Sequence, residues 1–172
     1  LKTEPANATV ADGQPASDTC VVSKLKATMN FAKQGRDSVA WSGLLTLPEG
    51  FSSAGQTLTV TVGGVERAFV LDARGRGRGA AGRVLLKPVA RAGDAGAQAA
   101  CLQVLLKGDF TGVFAEAGLA NETAKGKAVA LWVTARLAGR TYVGGRGGET
   151  VEPLSLTYTA RKGLSGVASL PK

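Results

Sequence analysis

The chain contains no histidine. That removes the commonest general base, the serine and cysteine triads that depend on an imidazole, and most zinc sites. Its two cysteines, Cys20 and Cys101, are too few for a four-thiolate metal centre. Aromatic residues make up only 5% of the 172 positions, so Val, Leu and Ala must fill the core. Acidic residues are outnumbered, 13 against 21 Lys and Arg, which leaves a formal charge of +8. No apolar run approaches the roughly 18–20 residues that a membrane-spanning helix needs. No local catalytic motif or metal-ligand spacing stands in the remainder, so the expectation is a non-enzymatic chain without a cofactor.

Hydrophobic residues amount to 44%, enough for a packed domain and too many for a disordered chain. The length suits one domain or two small ones. The polar segment 1–19, with Pro5 and Pro15, reads as a linker-like end of a processed, exported chain. The positive balance draws polyanions to the surface.

The strongest pattern is alternation with a period of two, the signature of half-buried strands. In "VSKLKATMNF", Leu25, Ala27, Met29 and Phe31 share one face, and Lys24, Lys26, Thr28 and Asn30 the other. Val39, Trp41, Gly43, Leu45 and Leu47 repeat the pattern until Pro48 and Gly50 break it. "TLTVTV" sets Leu58, Val60 and Val62 against three threonines, and Gly63-Gly64 marks a tight hairpin into "VERAFVLD". "RVLLKPV" predicts a strand whose Pro88 lies at an edge or an end. "KAVALWVTARL", "GRTYVG" and "EPLSLTYTAR" continue the series, the last with Leu154, Leu156 and Tyr158 inward.

One segment departs from this period. In "DFTGVFAEAGL", Phe110, Val113, Phe114 and Ala117 fall on one helical face, Asp109 stands at a cap position, and Gly118 suits the stop. A short helix is expected near 109–118.

The chain divides into a first β-rich half, 20–92, a second, 97–165, and a tail, 166–172. A shift of 73 positions lays Leu58, Val60, Thr61, Arg67 and Val70 over Leu131, Val133, Thr134, Arg140 and Val143, a hint of two related halves. Glycine-rich turns and threonine-rich strand faces over roughly 20–165 resemble the immunoglobulin-like and fibronectin-like repeats of bacterial secreted and cell-envelope proteins. The resemblance implies an all-β, antiparallel sandwich. Cys20, Trp41 and Cys101 only loosely echo the Cys–Trp–Cys signature of antibody-type domains, because the last spacing is too long for one such domain.

The cysteines leave two readings, buried free thiols or a bridge. A bridge would close a loop of about 80 residues, worth about 4 kcal/mol by chain entropy. The expectation is that Cys20 and Cys101 are bonded or close enough to bond.

The stretch "DARGRGRGAAGR", residues 72–83, carries the most chemistry. Its glycines match phosphate-loop patterns letter for letter, but a strand follows them rather than a helix, and no βαβ alternation surrounds them. If the stretch runs extended, Arg74, Arg76 and Arg78 project together about 6.8 Å apart. Arg83 lies just beyond, and Arg146 in "VGGRGGE", with Arg161 and Lys162, extends the basic set. Arginine forks bind phosphate or carboxylate bidentately. The alternative is a plain, solvated hairpin connection. No aromatic falls within 72–83 to stack on a base, which weakens the single-stranded nucleic-acid reading, and Tyr142 near Arg146 is the only close pairing.

The function expected first is a structural or interaction module of an extracellular or cell-envelope protein. It would act through strand edges and faces on a protein partner or on further copies of itself. The rival is a polyanion-binding domain, for acidic polysaccharide or nucleic acid, using the Arg-Gly loop 72–83. Asn7 and Asn121 begin triplets of the glycan-acceptor pattern.

Overall fold

The structure is a computed structural model that describes residues 18–89, 98–119, 124–145, 154–160 and 164–168. Twelve strands and one helix form among these residues. The strands are β1 (Asp18–Met29), β2 (Asp37–Leu47), β3 (Thr57–Val62), β4 (Val65–Val70), β5 (Arg76–Gly79), β6 (Gly82–Val89) and β7 (Gln98–Gly108). After helix α1 (Thr111–Glu116) come β8 (Ala124–Leu131), β9 (Val133–Leu137), β10 (Arg140–Gly145), β11 (Leu154–Ala160) and β12 (Leu164–Ala168). The segments 1–17, 161–163 and 169–172 lie outside the described residues, as do Asn121, Arg146, Arg161 and Lys162.

Alternation sets the inner face of each strand. On β2, Val39, Trp41, Gly43, Leu45 and Leu47 are all buried, while Leu44 and Thr46 are exposed. Leu58, Val60, Val62, Phe69, Leu131, Val133 and Leu154 are buried as their spacing predicts. They join Leu25, Met29, Leu102, Leu106, Phe110 and Phe114 in one continuous core. The side chains of Leu156 and Tyr158 lie outside the described set.

The chain is mostly β, as expected, but its sheet is mixed rather than purely antiparallel. Nine strands follow the order β4-β3-β9-β10-β1-β2-β7-β6-β5. The sheet nearly closes into a barrel and does not clearly form the two layers of an antiparallel sandwich. β1 and β10 pair in parallel, Asp18 with Tyr142 through Val21 with Gly145. The two ends of the path, β4 and β5, approach closely at Gly77. A Cβ there would lie 2.8 Å from Phe69 Cβ and 2.9 Å from Val84 Cγ2.

β1 is also a fork. Its first residues pair with β10, and Lys26 to Met29 pair with β12 on the way to β11 and β8. β8 and β9 are nearly one strand, interrupted at Trp132, whose carbonyl accepts the Gly63 N–H at 2.9 Å. The first segment joins the β11–β12 extension and the second joins the barrel wall. The β3–β4 and β9–β10 hairpins lie side by side. A shift of 73 lays Gly63 and Gly64 over Arg136 and Leu137, whereas the observed turn is Ala138-Gly139, two positions later.

The expected helix is present and is held by a residue the sequence did not single out. Asp37 is 2% exposed. Its Oδ1 accepts the Asn30 N–H at 2.8 Å, and its Oδ2 accepts the Phe110 N–H at 2.8 Å and the Thr111 hydroxyl at 3.3 Å. The cap position is Phe110, and Asp109 reaches only the Thr111 N–H, at 3.3 Å. Phe110 and Phe114 turn inward with ring centroids 5.6 Å apart, and the Arg67 guanidinium sits over Phe110 at 5.7 Å. Val113, expected on the same face, is 37% exposed.

Candidate anion-binding groove

The Arg-Gly stretch divides into a turn and a strand. Gly75 takes φ 73, which favours glycine, and its N–H donates to the Asp72 carbonyl at 3.0 Å. The Asp72 carboxylate accepts the backbone N–H groups of Arg74 and Arg76 at 2.8 and 2.9 Å. The bond from Arg76, opposed by some desolvation, holds this carboxyl below its ordinary range, helped by the Arg74 bond and both guanidinium charges.

From Arg76 onward the backbone is extended and pairs with β6, Arg76 opposite Leu85 and Arg78 opposite Arg83. Gly77 faces inward and is buried, while Arg76 and Arg78 are exposed. The alternation therefore has a structural cause on each face. Glycine lets β5 lie against Phe69 of β4, and arginine occupies the outer side.

The outer face continues across four more strands. Arg83 lies opposite Leu105 and Leu85 opposite Gln103 on β7. Leu105 meets Ala40 and Gln103 meets Ser42 on β2. Ser42 meets Lys24 on β1. These residues line a cavity of about 500 Å³. Lys24 forms one wall, and Arg76, Arg78 and Arg83 form the other. Ala40, Ser42, Leu85 and Leu105 are half-buried between them. The Ser42 hydroxyl lies 3.2 Å from the Ser23 hydroxyl. No acidic side chain lines the cavity.

Arg78 and Arg83 stand directly opposite each other as like charges, an arrangement that destabilises a sheet unless an anion bridges them. The Arg136–Glu66 ion pair, at 3.1 Å, lies away from this cavity.

The structure thus brings Arg76, Arg78 and Arg83 together and separates Arg74 from them. Arg74 sits in the turn and lines a second cavity of about 360 Å³ with Phe51, Ser53 and Gln98. Arg146 lies outside the described residues. Lys24 was missed as a site residue. Alternation had placed it outward, but only the β1–β2–β7–β6–β5 order makes it face the arginines. Tyr142 offers no stacking face either. It is fully buried, and its hydroxyl donates to the Thr46 carbonyl at 2.7 Å.

The disulfide expectation is also corrected. Both cysteines are free. Cys20 is 1% exposed on the inner face, where its Sγ fills the space beside Gly43. Cys101 is half-buried on the outer face, opposite exposed Leu44 and Lys87. β2 runs between their strands, and the two side chains leave the sheet on opposite sides, which forbids a bridge. Burial, with a smaller contribution from Cys101, pushes the Cys20 thiol up to about 12. Among the described residues, no group of three or more Cys, Asp or Glu is placed to hold a metal ion.

Compared with known proteins, the chain matches no family model, no curated protein and no solved structure.

Proposed function

We propose that the chain is a non-enzymatic polyanion-binding module of an exported or cell-envelope protein. One observation carries this reading. Four cations, Lys24, Arg76, Arg78 and Arg83, surround a single groove whose lining contains no carboxylate. Such a groove concentrates anions and leaves its guanidinium forks available for bidentate contact. The arginines stand on a paired strand rather than a free loop, so the ordering cost falls on folding instead of binding.

The salt dependence of binding tests the proposal. Anisotropy of labelled dextran sulfate, titrated across a salt series, should give a steep log–log slope. Replacing Arg76, Arg78 and Arg83 by Ser should lower that slope by about two to three. An unchanged slope would sink the assignment to this groove.

A second reading, assembly through strand edges, draws on one feature. Among the described residues β8 pairs with one strand, β11, and its other edge is where a further strand would add. Kinship with immunoglobulin-like envelope repeats belongs to the same proposal. Sizing of the protein at several concentrations and salt levels tests it, and a strict monomer throughout would count against it.

A further inference from the structure

We infer that the groove takes a linear acidic polysaccharide lying across the strands, a reading that rests on the polyanion function proposed above. The argument comes from where the charge sits and where it does not. Along the row Arg76, Leu85, Gln103, Ser42 and Lys24, the two charged ends are four strand spacings apart. At about 4.8 Å per spacing, that is roughly 19 Å along the sheet. Between the ends the floor carries no charge. Leu85, Leu105 and Ala40 are apolar, and Ser42 and Gln103 are neutral and hydrogen-bonding.

A nucleic-acid strand fits this pattern poorly. A stacked strand carries one phosphate about every 3.4 Å, so about six would span the groove, most of them above uncharged floor. Unstacked bases would need exposed aromatic faces, and Trp41, the aromatic residue in the lining, is only 3% exposed. A glycan with acidic groups on spaced units has the complementary layout. Its carboxylates or sulfates meet Lys24 at one end and the Arg76, Arg78 and Arg83 forks at the other. Its intervening hydroxyls meet the Ser42 hydroxyl and the Gln103 amide, which face each other across β2 and β7 and can both donate and accept. The C–H faces of its rings rest on Leu85 and Leu105.

The experiment compares three probes on the full chain at fixed salt: a hyaluronan hexasaccharide, whose carboxylates fall on alternate units, an oligothymidylate of equal charge and a polyglutamate of equal charge. Three variants are measured beside it, each checked for an unchanged melting profile. Ser42→Ala combined with Gln103→Ala should weaken the hexasaccharide about tenfold and leave polyglutamate binding unchanged. Lys24→Ser should weaken the hexasaccharide but not the disaccharide, a length control too short to reach from the arginine wall to Lys24. If all three probes bind alike and the Ser42–Gln103 variant is indifferent, the polysaccharide inference is overturned while the polyanion reading stands. If the Arg76, Arg78 and Arg83→Ser variant binds every probe as wild type does, both readings fall together.

Discussion

Asp37 and Phe110 are joined by a 2.8 Å hydrogen bond from the Phe110 backbone N–H to the buried Asp37 carboxylate, across 73 positions of sequence. The same carboxylate holds Asn30 and Thr111, so one side chain ties the β1–β2 turn to the entry of α1. Asp37→Ala would strip the acceptor from all three donors, one of them, the Phe110 N–H, fully buried and the other two half-buried. The expected loss is about 3 kcal/mol or more, read by urea denaturation. Asp37→Asn keeps one acceptor oxygen and should cost less. A loss below about 1 kcal/mol in the alanine variant would mean that α1 is held by Phe110 and Phe114 alone.

Gly77 and Gly79 are two residues apart on β5, yet their surroundings differ. A Cβ at Gly77 would press on Phe69 and Val84, whereas one at Gly79 meets nothing within 4 Å. Gly77→Ala should therefore destabilise by about 1–3 kcal/mol, and Gly79→Ala should change stability by about 0.5 kcal/mol or less. Equal melting shifts for the two would refute close packing between β4 and β5.

The facing guanidinium groups of Arg78 and Arg83 give a test that needs no ligand. Removing one like charge should relieve repulsion, so Arg78→Ser should melt slightly higher than wild type at low salt. The difference should vanish near 1 M salt, where the screening length falls to about 3 Å. A melting point that drops at low salt would show that Arg78 already has an anionic neighbour.

Cys20 carries a pH dependence of definite sign. Its folded value is raised from 9.0 to about 12, so the unfolded chain releases the proton first as pH climbs. The contribution to stability is whole below pH 9 and is lost between pH 9 and about 12, at roughly 1.4 kcal/mol per unit. Cys20→Ala should be less stable at pH 8 through the lost packing and should show a shallower alkaline decline. Thiol titration should find two reactive groups in unfolded, unreduced protein, and native protein should expose Cys101 first.

Local order was readable wherever one residue's neighbours along the chain decided its fate. The inward faces of β2 and β3 followed from alternation, because a half-buried strand permits no other register. The helix followed from the break in that alternation. Pairing was not readable, since nothing in "SKLKAT" indicates that Lys24 will face Arg76 across three intervening strands. The same gap explains the cysteines. Each lies in a strand, but which side each takes relative to a common neighbour depends on registers that sequence spacing does not contain. The bulge between Val22 and Lys24 shifts that count by one more residue. Asp37 was not singled out, because its partners at Phe110 and Thr111 are remote in sequence.

The parallel pairing of β1 with β10 sets an order of events during synthesis. β1 is made well before its parallel partner, which begins at Arg140 and emerges more than 100 residues later. Until then β3 also waits, because its neighbour β9 lies in the same late segment. The early strands Asp18–Val89 can form the β1–β2 and β3–β4 hairpins, but the wall between them has no middle. Contacts of such long range slow folding into the millisecond-to-second range. Through that interval, the threonine-faced edge of β3 and the basic strand β5 are both exposed to whatever meets the nascent chain.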